Sequence, residues 1–300
     1  MSVSRIVSVV ALTLVLFCSQ RTSADDSCAA DDVTCAQPSE TKATCGWSPP
    51  LNLSPNTKRR HPHGLCWVSE SRQYVYLNVA KVASTTLKRL TGHPKLGAAS
   101  QAQCVVELNG TISAYRPYLG RAEYGDPVSA TGFVKFAFVR DPIARFLSGF
   151  HTVAKRGAAG GAYGDSKRMP FVNVVHDEQA QMLQFFSDVQ RNGGFWEEHT
   201  IPQSYYLSHP QTHVPIQLDF IGRAEDFERE WRVVEWLTGL PKVQDLPQKN
   251  AAERNTAVAN EVSLEALCDD EELLDRVRTL YEQDFLCLNY SLTAPQSCHR

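Results

Sequence analysis

Residues Tyr74 to Leu90 read YVYLNVAKVASTTLKRL. The first part, Tyr74 to Ala80, is apolar, β-branched and aromatic, which is the composition of a buried strand. Lys81 ends that run. Ser84, Thr85 and Thr86 follow, and Leu87 and Leu90 stand at helical spacing. The pattern is strand, tight polar turn, helix. Ser84 suits the N-cap, where its hydroxyl can accept from first-turn amides. Those amides, the helix dipole, three hydroxyls and one lysine would converge on one point, as a phosphate or sulfate group requires. The stretch has no glycine and lacks the glycine-lysine signature of a Walker loop. Alone, it fits two readings: a plain strand–turn–helix and an anion site.

A second stretch, Lys135 to Phe150, reads KFAFVRDPIARFLSGF. Lys135 to Val139 is a short apolar strand, and Arg140 stands at its end. Asp141 followed by Pro142 is a helix start, an N-cap with proline at the first helical position. Ile143, Phe146, Leu147 and Phe150 fall at i, i+3, i+4 and i+7 and form the buried stripe. Arg145 falls on the opposite face and Ser148 beside the stripe. Arg140, at a strand C-terminus, can reach the crevice where open α/β sheets bind ligands.

Together these residues resemble a known family. AKVASTT after a strand resembles the 5′-phosphosulfate loop of the Golgi carbohydrate sulfotransferases, and FVRDPIARFLSGF is similar to their 3′-phosphate motif. LDFIGRAEDFE from Leu218 and LYEQDFLCLNY from Leu280 resemble later blocks of the chondroitin and dermatan 4-O-sulfotransferase group. The resemblance runs from about Tyr74 to Tyr290. It implies a P-loop-like α/β fold, a mostly parallel central sheet flanked by helices, with Tyr74–Ala80 and Lys135–Val139 as central strands. It also implies 3′-phosphoadenosine 5′-phosphosulfate (PAPS) as the donor, with no obligatory metal. Lys81, Ala83, Ser84, Thr85 and Thr86 would hold the 5′-phosphosulfate, with Lys81 countering charge on the leaving phosphate. Arg140 and Ser148 would hold the 3′-phosphate. The acceptor would be a polysaccharide or a glycoprotein glycan. This sequence departs from the pattern at Ala80, where many members have proline, and at Ala83 and Ser84, which replace a more usual glycine and cysteine.

The acceptor hydroxyl needs a base. EEHTIPQ, from Glu197 to Gln203, resembles a histidine-containing block of the same group, with threonine in place of its tryptophan, and so implies His199. Pro202 argues against a continuous helix there and puts His199 on a loop or near a helix end. Glu197 or Glu198 could orient the imidazole or serve as the base, and His93 and His151 are the next candidates.

The whole chain sets bounds. Its 300 residues suffice for one large α/β domain with appendages, and 43% hydrophobic against 21% charged residues excludes bulk disorder. A formal net charge of −3 gives no footprint for nucleic acid. An anionic polysaccharide would need a local basic patch, and Lys58, Arg59, Arg60, His61 and His63 form one basic run, which also reads as a solvated loop. Ile6 to Cys18 is an apolar run behind Arg5, with Thr22-Ser23-Ala24 as a small-residue cleavage site. It is shorter than the roughly 20 residues that span a bilayer. Residues 1–24 therefore read as a cleaved signal peptide, whereas the resemblance favours a membrane anchor in the Golgi. Either places the chain in the secretory lumen, Golgi or beyond.

Nine cysteines, eight without Cys18, suit disulfides in that compartment, with no paired CxxC to suggest zinc. Sequons at Asn52, Asn109 and Asn289 allow N-glycosylation. Residues 25–72, broken by Pro49, Pro50, Pro55 and Pro62, read as a stem, and residues 73–295 as the sulfotransferase domain. Gln103 to Val106 reads as a short strand and Arg116-Pro117 as a turn. Gly157 to Asp165 reads as a surface loop or lid flanked by Lys155, Arg156, Lys167 and Arg168. Glu178 to Val189 and Phe227 to Leu237 read as helices, Leu218 to Gly222 as a strand, and Leu264 to Phe285 as a closing helical region bent near Asp269. Two other functions fit parts of the pattern. A catalytically silent glycan-binding protein could use the same scaffold. A nucleotide-dependent kinase could use the strand–loop–helix, although the missing Walker lysine and the secretory signal oppose it.

Overall fold

An unbroken apolar run forms a strand when both of its faces are covered, and two such runs lie side by side at the centre of this chain. The computed structural model describes residues 66–93, 99–106, 111–117, 124–128, 132–158, 178–191, 199–209, 212–243, 264–293 and 298. The strands are β1 (Cys66–Ser69), β2 (Tyr74–Leu77), β3 (Ser100–Val106), β4 (Ile112–Pro117), β5 (Tyr124–Val128), β6 (Val134–Val139) and β7 (Phe220–Arg223). They form one sheet in the order β5-β4-β3-β1-β2-β6-β7. All four residues of β2 are buried, as are Phe136 to Val139 of β6.

β2 pairs parallel with β6 (Tyr76 opposite Phe136, Leu77 opposite Ala137), and β6 parallel with β7 (Phe138 opposite Gly222). The α/β architecture is the expected one, with its parallel part in these three strands. β1, β3, β4 and β5 extend the sheet by antiparallel pairing. The sheet thus reaches back to Cys66, inside the stretch that reads as stem. β1 and β3 are also joined by the Cys66–Cys104 disulfide.

Eight α-helices are described: α1 (Ser84–Gly92), α2 (Pro142–Ala158), α3 (Glu178–Arg191), α4 (Gln203–Tyr206), α5 (Phe227–Thr238), α6 (Leu264–Asp269), α7 (Glu271–Leu280) and α8 (Glu282–Cys287). The stripes read from periodicity are the buried ones: Ile143, Phe146, Leu147 and Phe150 on α2, and Met182, Phe185, Phe186 and Val189 on α3. Phe146 and Phe150 meet Phe185 at ring separations of 5.5 and 5.4 Å. The closing helical region breaks twice. Asp270 caps α7 by accepting from the Leu273 amide, and Tyr281 separates α7 from α8. Cys268 and Cys298 are linked, and Cys287 is also disulfide-bonded.

Two expectations about these elements change. β2 stops at Leu77, not Ala80, and the chain beyond it turns through left-handed backbone at Lys81 and Ala83. Arg116 and Pro117 end β4, where the register with β5 shifts, and do not form a turn. Arg145 is buried, because the second face of α2 is covered by irregular backbone. Residues 1–65, which include the leader, the basic run and most of the stem, lie outside the described residues, as do Glu197, Glu198 and the glycine-rich segment beyond Ala158. No described helix is long and apolar enough to cross a membrane.

The contact between β6 and β7 leaves no room at Gly222. A Cβ there would stand 2.6 Å from Cε1 of Phe138. That ring is fully buried, with the Phe220 and Phe227 rings 6.3 and 5.4 Å away. Gly222→Ala should therefore lower unfolding free energy by about 1–3 kcal/mol through overpacking, read by urea denaturation. Wild-type stability would mean that Phe138 can shift without cost.

Candidate functional site

Because β2, β6 and β7 run parallel, the turns that follow them leave from one edge of the sheet, the carboxyl edge where α/β folds place ligands. The turn after β2 carries Lys81 (φ 68°) and Ala83 (φ 60°, ψ 21°), both left-handed. Backbone amides around such residues form concavities that suit anions. Ala83, not Ser84, takes the N-cap position of α1; no side chain caps the helix, and its first turn has no acidic residue. Ser84 is half-buried, Thr85 exposed and Thr86 buried. The N-terminus of α1 therefore presents amides and the positive end of the dipole with no opposing carboxylate on its own first turn.

The turn after β6 is held more tightly. Asp141 is fully buried and caps α2, its Oδ1 accepting from the amides of Ile143 (2.9 Å) and Ala144 (3.2 Å). Its own amide donates to Glu225 Oε1 (2.8 Å), from the turn after β7. Arg140 is half-buried, and the side-chain amide of Gln203 brackets its backbone. The Arg140 N–H donates to Oε1 (2.8 Å), and its carbonyl accepts from Nε2 (2.7 Å).

One face of α2 then runs along the β2 turn. Asp141, Arg145, Ser148 and Thr152 are spaced by four, three and four residues, so they share that face. Arg145 Nε donates to the Ala80 carbonyl (2.9 Å), and Lys81 Nζ donates to Thr152 Oγ1 (2.5 Å). Half-buried Ser148 stands between these two contacts along the helix, and its carbonyl accepts from the Thr152 hydroxyl.

His199 is 7% exposed, in a turn ahead of α4. Its segment lies against the same helix. A Cβ on Gly149 would meet the His199 carbonyl oxygen at 3.0 Å, and Arg145 Nη2 donates to the Ile201 carbonyl at 2.7 Å. Pro202 precedes α4, as a proline that cannot continue a helix should. Asp284, on α8, accepts from the amides of Gln203 and Ser204 and from the Ser204 hydroxyl, all at 2.7 Å. Burial pushes the Asp284 carboxyl above its usual range, opposed by the Arg145 charge and these hydrogen bonds.

The structure thus draws together the backbones of the Ala80–Thr86 turn, Arg140–Thr152 and His199–Gln203. The other histidine candidates are placed differently. His93 caps the far end of α1, a nine-residue helix, about 13 Å from Ser84 at 1.5 Å per residue. His151 is half-buried with its ring 5.6 Å from Phe150. Arg145, Gln203, Glu225 and Asp284 also hold the site, although the sequence reading gives none of them a role there. Arg145 had a signal, since it shares the helix face of Asp141 and Ser148. The other three act across 63 to 84 residues of chain, and no local pattern marks them.

A left-handed alanine is costly, by about 1–2 kcal/mol relative to right-handed backbone, and glycine would remove that cost. Ala83→Gly should therefore leave stability unchanged or raise it by up to about 1 kcal/mol, with α1 intact, measured by thermal unfolding. A clear loss of stability would contradict the left-handed assignment.

The chain matches the sulfotransferase family over residues 65–291. No curated protein and no solved structure matches it. The matched span starts one residue before β1 and ends just past Tyr290, so it takes in every described strand and helix. The chain therefore belongs to the sulfotransferase family.

Proposed function

We propose that the chain transfers a sulfuryl group from PAPS to a carbohydrate hydroxyl, in the Golgi or a later secretory compartment. Family membership carries the coarser part: the chain is a transferase, and sulfotransferases take PAPS as donor. In this reading Lys81, the amides of Ala83 to Thr86 and the hydroxyls of Ser84, Thr85 and Thr86 receive the 5′-phosphosulfate. Arg140 and Ser148 receive the 3′-phosphate. PAPS supplies an activated sulfuryl group. The acceptor oxygen bonds to sulfur as the sulfur–oxygen bond to the phosphate breaks, and His199 takes the hydroxyl proton. Lys81 counters charge that grows on the leaving phosphate, where a fixed cation acts most in the transition state. No metal is required in this scheme.

The observation that carries the reading is the shared face of α2. Through Arg145 and Thr152 it holds the β2 turn, and Ser148 stands on that face, beside Gly149 with its contact to the His199 backbone. An α1 N-terminus with no side-chain cap and no first-turn acid fits an anionic ligand. The disulfides fit an oxidising extracellular or secretory location. The carbohydrate acceptor follows from the resemblance of the loops to the carbohydrate-acting branch. A Golgi address and an N-terminal anchor or cleaved signal go with that acceptor.

Incubation with sulfur-labelled PAPS and a panel of glycans, including chondroitin and dermatan, should give label on at least one glycan. Glycan binding without transfer would favour a silent binding protein, and ATP-dependent transfer a kinase. Among variants, Arg140→Ala should weaken adenosine 3′,5′-bisphosphate binding by about ten- to a hundredfold, the value of a charge-assisted contact. Lys81→Ala should lower kcat as well as donor affinity. His199→Ala should lower kcat by about 10²–10⁴ with donor affinity within a few-fold. Near-normal kcat in that variant would move the base to Glu198 or His151.

A further inference from the structure

Arg145 is 1% exposed, yet it carries a charge that no packing role requires. Burying a guanidinium is expensive, and an apolar side chain of similar volume often serves a core better. Its donors go to two backbone carbonyls outside regular structure, Ala80 at 2.9 Å and Ile201 at 2.7 Å. Ala80 directly precedes Lys81. Ile201 lies two residues after His199. Asp284 is buried close enough to feel the guanidinium charge, and the Tyr206 ring lies 6.0 Å from its Cζ. The fork of one rigid side chain therefore spans the segment bearing the donor-side lysine and the segment bearing the base.

We propose that Arg145 is a positioning residue for sulfuryl transfer, fixing Lys81 and His199 in one frame by clamping the carbonyls of Ala80 and Ile201. The proposal rests on the roles of Lys81 and His199 given above. It adds that their relative placement depends on a group that touches neither donor nor acceptor. Lysine keeps the charge near Asp284 but cannot reproduce two donors held in a planar fork. Loss of the clamp should let the two segments drift by a fraction of an ångström to an ångström, and misplacement of about 1 Å can cost about a hundredfold in rate.

The test is Arg145→Lys in the full chain. Three quantities are measured: binding of adenosine 3′,5′-bisphosphate by calorimetry, kcat and donor KM on a glycan that wild type sulfates, and backbone amide exchange. The expected result is binding within about threefold of wild type, because Arg140 and Ser148 are retained. kcat should fall about 30- to 100-fold with little change in donor KM. Amide exchange should rise together around residues 79–83 and 199–203 and stay unchanged in β6. A merely structural role would instead lower binding and kcat in proportion, and that result overturns the proposal. So does kcat within threefold of wild type, or exchange that rises in neither segment.

Should Arg145→Lys fail to fold, Gly149→Ala perturbs the same frame from the other side, since its Cβ would press on the His199 carbonyl at 3.0 Å. It should lower kcat about three- to tenfold at unchanged nucleotide affinity, and an unchanged kcat would overturn the proposal. A wild-type chain that binds the nucleotide but sulfates no glycan removes the functional reading. The exchange comparison then decides alone whether Arg145 couples the two segments.

Discussion

A buried guanidinium must have its donors satisfied, and in this chain that requirement ties the turn after β2 to the residues before α4. Arg145 lies on α2, but its bonds go to the turn after β2 and to the residues before α4. Asp284, on α8, feels its charge and caps the short α4 through the amides of Gln203 and Ser204. Gln203 in turn brackets the backbone of Arg140, and Glu225 holds the amide of Asp141. A half-satisfied buried network is worse than an apolar core, so these parts stand or fall as a unit. The irregular backbone at the carboxyl edge is held by this polar network together with buried apolar side chains, Val79 and Val82 in the β2 turn and Ile201 before α4.

Left-handed alanine and lysine in the β2 turn fit the same picture. Each is strained by itself, and such strain persists only where surroundings over-determine the backbone. Here Ala80 is held by Arg145, Lys81 by Thr152, and the Ala83 carbonyl by the Leu87 amide. The departures of this sequence from the family pattern, alanine where glycine is more usual, are therefore tolerated by neighbours instead of by intrinsic backbone preference.

Much of this was legible in the chain itself, because the signals are local. The apolar runs at Tyr74 and Lys135, the Asp-Pro start of α2 and the stripes of α2 and α3 depend on residues within a few positions of one another. They read directly as strands, caps and buried faces. Illegible features depend on distant residues or on backbone that defies propensity. Periodicity puts Arg145 opposite the apolar stripe, and the distant segments at Ala80 and Ile201 make that face an interior one. Ser84 read as a cap from its hydroxyl, but the left-handed Ala83 moved the cap one residue back. The antiparallel extension through β1 begins in a cysteine-bearing stretch that resembles a stem by composition, and its pairing with β3 is a long-range fact. His199 was reached through resemblance to other chains, not through any physical pattern in its own neighbourhood.

In the proposed function the β2 turn and Arg140 with Ser148 form one donor site, and the His199 segment lies beside it. A crystal structure of the chain saturated with adenosine 3′,5′-bisphosphate tests this most directly. The 5′-phosphate should lie at the N-terminus of α1, within hydrogen-bond distance of the Ser84–Thr86 amides and Lys81, and the 3′-phosphate at Arg140 and Ser148. A nucleotide bound away from the carboxyl edge of β2 and β6, or with its two phosphates exchanged between these positions, would contradict it.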